Sequence, residues 1–144
     1  MDWLEKLQEE YEAYAELTVQ LQAKASPTDG LLGLTKGPQD APEHDAFYQK
    51  IDELTDRMAA ASPSAEEAAA VTEFLLTAAE RYRAYEMAQW MMIPAEGLAL
   101  KLIPFLESGE AARLLRQYEK YVPRFRRFPV QKQVVGALKK QGKG

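Results

Sequence analysis

Along the first 25 residues, Leu4, Leu7, Tyr11, Tyr14, Thr18 and Leu21 fall at alternating steps of three and four. That spacing draws one stripe along a helix and predicts helix from about Asp2 to Ala25. Trp3 and Leu17 widen the stripe, while Glu5, Glu9, Glu12 and Glu16 occupy the opposite face. Such a helix is roughly 36 Å long. Three heptads would also suit a coiled-coil seam, but the stripe is wider than a strict a/d pattern, which favours a bundle.

Ser26 to Ala41 breaks the pattern. Ser26-Pro27-Thr28-Asp29-Gly30 and Lys36-Gly37-Pro38-Gln39-Asp40 are turn chemistry around Leu31, Leu32 and Leu34. A connection of this length is generally functional or mobile, so 26–41 is expected to be a long loop. Its leucines either tuck under a bundle end or await a partner, and the cost of exposing them favours the tuck.

A second helix opens with Asp40-Ala41-Pro42-Glu43, an acidic cap with proline in the first turn. Its apolar face is Phe47, Ile51, Leu54, Met58 and Ala61, and Ser62-Pro63 ends it. Ser64-Ala65-Glu66-Glu67 has the form of a capping box and starts a third helix. Its stripe of Ala68, Val71, Leu75, Ala78, Tyr82 and Tyr85 can be followed to Ile93, where Pro94 marks a boundary. Similar lengths for helices one and three suit antiparallel packing. Beyond Pro94 the elements shorten. Leu98, Leu102 and Phe105 mark a fourth helix, bent or ended at Pro104. Ser108 is read as the cap of a fifth that stops at Pro123, and Pro129 falls in the first turn of a sixth with Val130, Val134 and Leu138 on one side. The tail 142–144 is expected to fray.

These elements predict a single all-α domain over residues 1–144. It is a bundle of about six helices, with long N-terminal and central helices packed antiparallel and shorter C-terminal ones beside them. The short paired helices leave a helical-hairpin or solenoid-like array as the alternative, although no fixed-period repeat is visible. Composition agrees with helix: the 144 residues include 22 Ala and 17 Leu against 6 Val and 3 Ile. Cysteine is absent, which excludes disulfides and thiolate metal sites. The start lacks signal-peptide character, and no apolar run approaches the roughly 20 residues of a spanning helix. A cytoplasmic location without a transmembrane segment is therefore expected.

The distribution of charge is more informative. Residues 1–80 carry 17 acidic against 5 basic side chains, and residues 81–144 carry 5 against 13. Either the halves neutralise each other within the fold, or they present differently charged faces to partners. The sharpest cluster lies in the basic half: Arg124, Phe125, Arg126, Arg127, Phe128 and Lys132. Arginine interleaved with aromatics can hold single-stranded nucleic acid, an acidic protein or anionic lipid. The structural alternative places Phe125 and Phe128 in the core and turns the arginines toward acidic groups of the first half. A second cluster, with Tyr82, Tyr85, Trp90 and Met91, suits either core filling or an adaptable groove for a partner helix.

Catalytic chemistry has little support. Most carboxylates sit on polar faces near helix N-termini, where solvation explains them. Lone His44 has no Glu three residues before it, which excludes the Glu-x-x-His of di-metal bundles, and an exposed position is expected for it. Gly30, Gly33 and Gly37 lack the strand–helix context of a phosphate loop. No catalytic residues, metal or cofactor are expected. The favoured reading is a non-enzymatic module for protein–protein interaction or self-association. The alternatives are weak nucleic-acid binding through Arg124–Lys132, and a small-ligand site near Tyr82, Tyr85, Glu86 and Gln89.

Overall fold

The computed structural model describes residues 2–24 and 41–143, with backbone only at Lys24 and Arg124. The segment read as the long loop, with its leucines and glycines, therefore lies outside the described residues apart from Ala41. Among the described residues there are six α-helices and no strands. They are α1 (Trp3–Lys24), α2 (Pro42–Ala60), α3 (Ala65–Arg81), α4 (Gln89–Ala95), α5 (Ser108–Tyr121) and α6 (Pro129–Lys143). Between α4 and α5 the chain runs as tight 3₁₀ helix through Glu96–Lys101 and Ile103–Phe105.

Local chemistry accounts for the boundaries. Pro42 stands at the start of α2, where its missing N–H is no loss. Ala41 occupies the N-cap position without a side-chain bond, and Asp40, read as part of an acidic cap, lies outside the described residues. Ser64 and Glu67 do form the reciprocal capping box on α3, through bonds of 3.1 and 3.3 Å. At the start of α6, Gln131 Oε1 accepts from the Phe128 N–H at 3.0 Å, so a side chain three residues on caps the helix.

The bundle is helical as expected, but its handling of direction differs. Trp3 of α1 lies under the Arg57 guanidinium of α2, and Tyr14 meets His44 and Phe47, so α1 and α2 are antiparallel. Along α3, Tyr11 meets Phe74 and Tyr82, and Glu16 meets Tyr85. Helices α1 and α3 therefore run in the same direction, because α2 supplies one reversal and the turn after it the second. The third helix also stops at Arg81 rather than reaching Ile93. Tyr82 and Tyr85 stay half-buried against the core after the helix has ended, which prolonged the apolar stripe without prolonging the helix. Pro94 lies inside α4 instead of ending it, and the expected fourth helix is the pair of 3₁₀ segments.

Glu96–Lys101 is the centre of the architecture, in contact with α2, α3, α4 and α6. A solenoid, in which each unit touches only its neighbours, does not place one segment among four others. Small residues allow the close approach. Ala95 and Ala99 are buried, and a Cβ on Gly97 would fall 2.4 Å from Val130 Cγ2 of α6. Helices α5 and α6 form a hairpin: Gly142 lies against Ala112, and Gln141 donates to the Leu106 carbonyl at 2.7 Å. Those contacts keep α6 helical to Lys143, where fraying was expected from Gly142.

The charge asymmetry is laid out by element. Acidic α1 and α2 pack together, basic α5 and α6 pack together, and α3 with the central segment joins the pairs. Besides the local pair of Arg83 with Glu80 at their junction, ion pairs join the halves at two places among the described residues. Lys101 bridges Asp52 and Asp56 of α2, and Arg113 of α5 bridges Glu73 of α3 as well as Glu110.

Candidate functional site

The connector between α5 and α6 behaves differently. Its Arg127 is mostly buried, donating to the Val122 carbonyl at 3.2 Å and pairing with Glu119 at 3.1 Å. That pair ties the connector to the end of α5, inside the basic half. Neither Phe125 nor Phe128 anchors it to the core, because they are 82% and 54% exposed. The Arg126 guanidinium stands 5.4 Å from the Phe125 ring centroid. Among the described residues Arg126 and Lys132 have no ion pair, so neutralisation by the first half does not reach them. Arg124 opens the short 3₁₀ turn Arg124–Arg126.

Phe128 and Val130 instead form one wall of a groove of about 540 Å³. Tyr48 of α2 and Gln89, Trp90, Ile93 and Pro94 of α4 complete it. Trp90 is 48% exposed and the lining is overwhelmingly apolar. A second depression, lined by Asp45, Tyr48, Gln49, Met91 and Pro94, continues it past Tyr48. Lys132 lies one helical turn beyond Phe128, since its N–H bonds to the Phe128 carbonyl at 3.0 Å. Two cations thus flank Phe128 along the chain, Arg126 two residues before it and Lys132 one turn after it, while Asp45 lines the extension of the groove.

Of the four residues read as groove or core, the structure separates two pairs. Trp90 lines the main groove and half-buried Met91 lines its extension. Tyr82 and Tyr85 face α1, with Tyr85 donating to Glu16 at 3.2 Å, so they do not converge on a ligand site. Gln89 lines the groove while its amide donates to the Tyr82 carbonyl at 3.0 Å, which fixes the start of α4.

Two buried polar groups behind the groove were not foreseen. His44, expected at the surface, is buried, with its Nδ1 2.6 Å from the Tyr14 hydroxyl and its ring against Trp90. A partner 30 residues away made that burial possible. Glu96 is 2% exposed. Its Oε1 accepts from the Tyr118 hydroxyl at 2.5 Å and from Gln131 Nε2 at 3.2 Å. Burial pushes its carboxyl up to about 7, against the opposing pull of these two hydrogen bonds. Burial also raises the Tyr118 hydroxyl, with the neighbouring Glu96 carboxylate adding to the effect.

Among the described residues no group of three or more His, Asp or Glu is placed to hold a metal ion. No helix among them is long and apolar enough to cross a membrane. Comparison with protein families, curated proteins and solved structures finds no match to this chain.

Proposed function

We propose that this protein is a non-enzymatic docking module whose groove between α4 and the start of α6 receives an amphipathic helix of another protein. The observation that supports it is the coincidence of exposed Trp90 and Phe128 in one apolar groove with two cations beside Phe128 along the chain, Arg126 and Lys132, that have no ion pair among the described residues. Large rings left in water are costly unless something covers them, and Trp is among the commonest anchors of binding energy. Charge complementarity specifies the occupant. Its apolar face enters the groove, acidic side chains lie toward the connector and a basic one lies toward Asp45. A cytoplasmic setting accompanies this reading, since the chain depends on no disulfide.

The test is titration of the protein with a panel of synthetic helical peptides, each with Leu or Phe along one face and Glu along the flank. Charge-reversed peptides of the same composition serve as controls. The acidic set should bind and the reversed set should not. Trp90→Ala should cost about 2 kcal/mol or more, roughly thirtyfold in affinity. Arg126→Glu with Lys132→Glu should weaken binding and flatten its salt dependence. Binding untouched by Trp90→Ala, or failure of the whole acidic panel, overturns the proposal. Tight binding of oligothymidylate that depends on Phe125 would replace it with nucleic-acid recognition, and dimerisation that buries Trp90 would replace it with self-association.

A further inference from the structure

Two links connect the buried carboxylate to the groove. Gln131 donates to Glu96 with its amide nitrogen, and with its amide oxygen it caps the Phe128 N–H. One side chain therefore joins the carboxylate to the backbone of a groove residue. The neighbouring Gly97 is in contact with Val130, the next groove residue. On the other side, the Tyr118 hydroxyl holds the same carboxylate oxygen from α5.

We propose that the charge state of Glu96 sets how tightly the first turn of α6 seats on the central segment, making the groove wall of Phe128 and Val130 responsive to pH. When the carboxyl is neutral, its burial costs little beyond that of a hydrogen-bonded polar group. When it loses its proton to solvent, a full charge remains with two donors in a space that water does not reach, and ionised groups are stable there only with further donors. The accessible relief is hydration. Water enters where the cover is thinnest, beside the exposed first turn of α6, and Gln131 moves with it.

The groups around Glu96 leave this response to Glu96 itself. From α5 and α6 it meets Tyr118 and Gln131, and from α1 it acts on the Tyr11 hydroxyl, which burial already holds well above its usual range. Arg127 of the connector acts on Tyr118 while paired with Glu119. The acidic groups of α2, Asp52 and Asp56, are held by Lys101 at the other end of the segment. Helix α4 contributes no titratable side chain, and no charged group of α3 acts on Glu96. With its carboxyl raised to about 7, the transition falls near neutral pH.

The structural response requires no partner; only its consequence for affinity rests on the docking reading. The experiment therefore uses the protein alone, following the backbone amide resonances of Phe128 and Val130 from pH 5.5 to 8.5. Both should titrate with a midpoint near 7. In Glu96→Gln both should be flat across the range. Tyr118→Phe, which removes one stabilising donor, should move the midpoint upward. Flat resonances in the unaltered protein, or a titration that persists in Glu96→Gln, overturn the proposal. Failure of the peptide panel would leave these amide titrations as expected, so the two ideas fail separately.

Discussion

Replacing Glu96 with Gln should make the protein more stable at alkaline pH and leave it nearly unchanged in mild acid. Gln keeps the oxygen that accepts from Tyr118 and Gln131 but cannot acquire the buried charge. The magnitude follows from linkage. In the unfolded chain the carboxyl loses its proton near 4.5, whereas in the fold it holds the proton until about 7. Between those values the native state binds more protons than the unfolded state, so stability falls as pH rises. At about 1.4 kcal/mol per pH unit, the gap amounts to about 3 kcal/mol. That loss is absent below pH 4.5, accumulates to about 7 and is constant above it. The assay is urea denaturation of both proteins at pH steps from 4.5 to 8.5. Differencing the two curves cancels the groups they share. The variant should gain progressively, reaching an advantage of about 3 kcal/mol, although relaxation around the charge can reduce it. A difference that stays constant within about 1 kcal/mol across the range, or one favouring the unaltered protein as pH rises, refutes the reasoning.

Two further substitutions probe the packing behind the groove. Gly97→Ala puts a methyl group 2.4 Å from Val130 Cγ2, so α6 must shift or Val130 must change rotamer. A loss of about 1–3 kcal/mol in the same denaturation assay is expected, together with displaced Phe128 and Val130 resonances; an unchanged spectrum would contradict the close fit. Tyr11→Phe keeps the edge contacts with Phe47 and Phe74 at 5.0 and 4.9 Å. It removes a fully buried hydroxyl that has no hydrogen-bond partner among the described residues. Stability should hold or rise by about 1 kcal/mol, and a marked loss would reveal a partner for that oxygen.

Where the sequence was legible, the information was local. The spacing of Leu4, Leu7, Tyr11 and Tyr14, the Ser64–Glu67 box and Pro129 at a helix start each act within a turn or two, and each matches the fold. The stop at Arg81 was illegible because the turn that follows contains neither Gly nor Pro and the stripe continues through half-buried tyrosines. The relative direction of α1 and α3 was illegible for a different reason: matching lengths say nothing about how many reversals separate two helices. Burial of His44 depends on Tyr14, and neither residue signals the other in sequence. Glu96 did leave a signal. It is the only charged side chain between Glu86 and Lys101, flanked by Ala95, Gly97, Leu98 and Ala99. A carboxylate isolated in so apolar a stretch has few ways to reach water once that stretch is packed.

The position of the proposed docking surface has a physical reason. Charge segregation alone gives two faces and does not choose between them, and much of the basic half lies on the exposed side of α6, with Lys139, Lys140 and Lys143 near its end. What distinguishes the first turn of α6 is that cations and exposed rings coincide there, while the internal ion pairs are placed elsewhere, at Lys101 and Arg113. Arg127 marks the boundary: it is spent on Glu119 to hold the connector, and Arg126 beside it remains available. Long-range attraction to any acidic surface would then speed encounter, but only a partner with an apolar ridge could cover Trp90 and Phe128. High salt should therefore slow association with the peptide far more than it speeds dissociation, whereas Trp90→Ala should act chiefly on dissociation. Stopped-flow measurement of both rates separates the two contributions. A salt effect confined to dissociation would mean that the cations are buried contacts rather than steering charges.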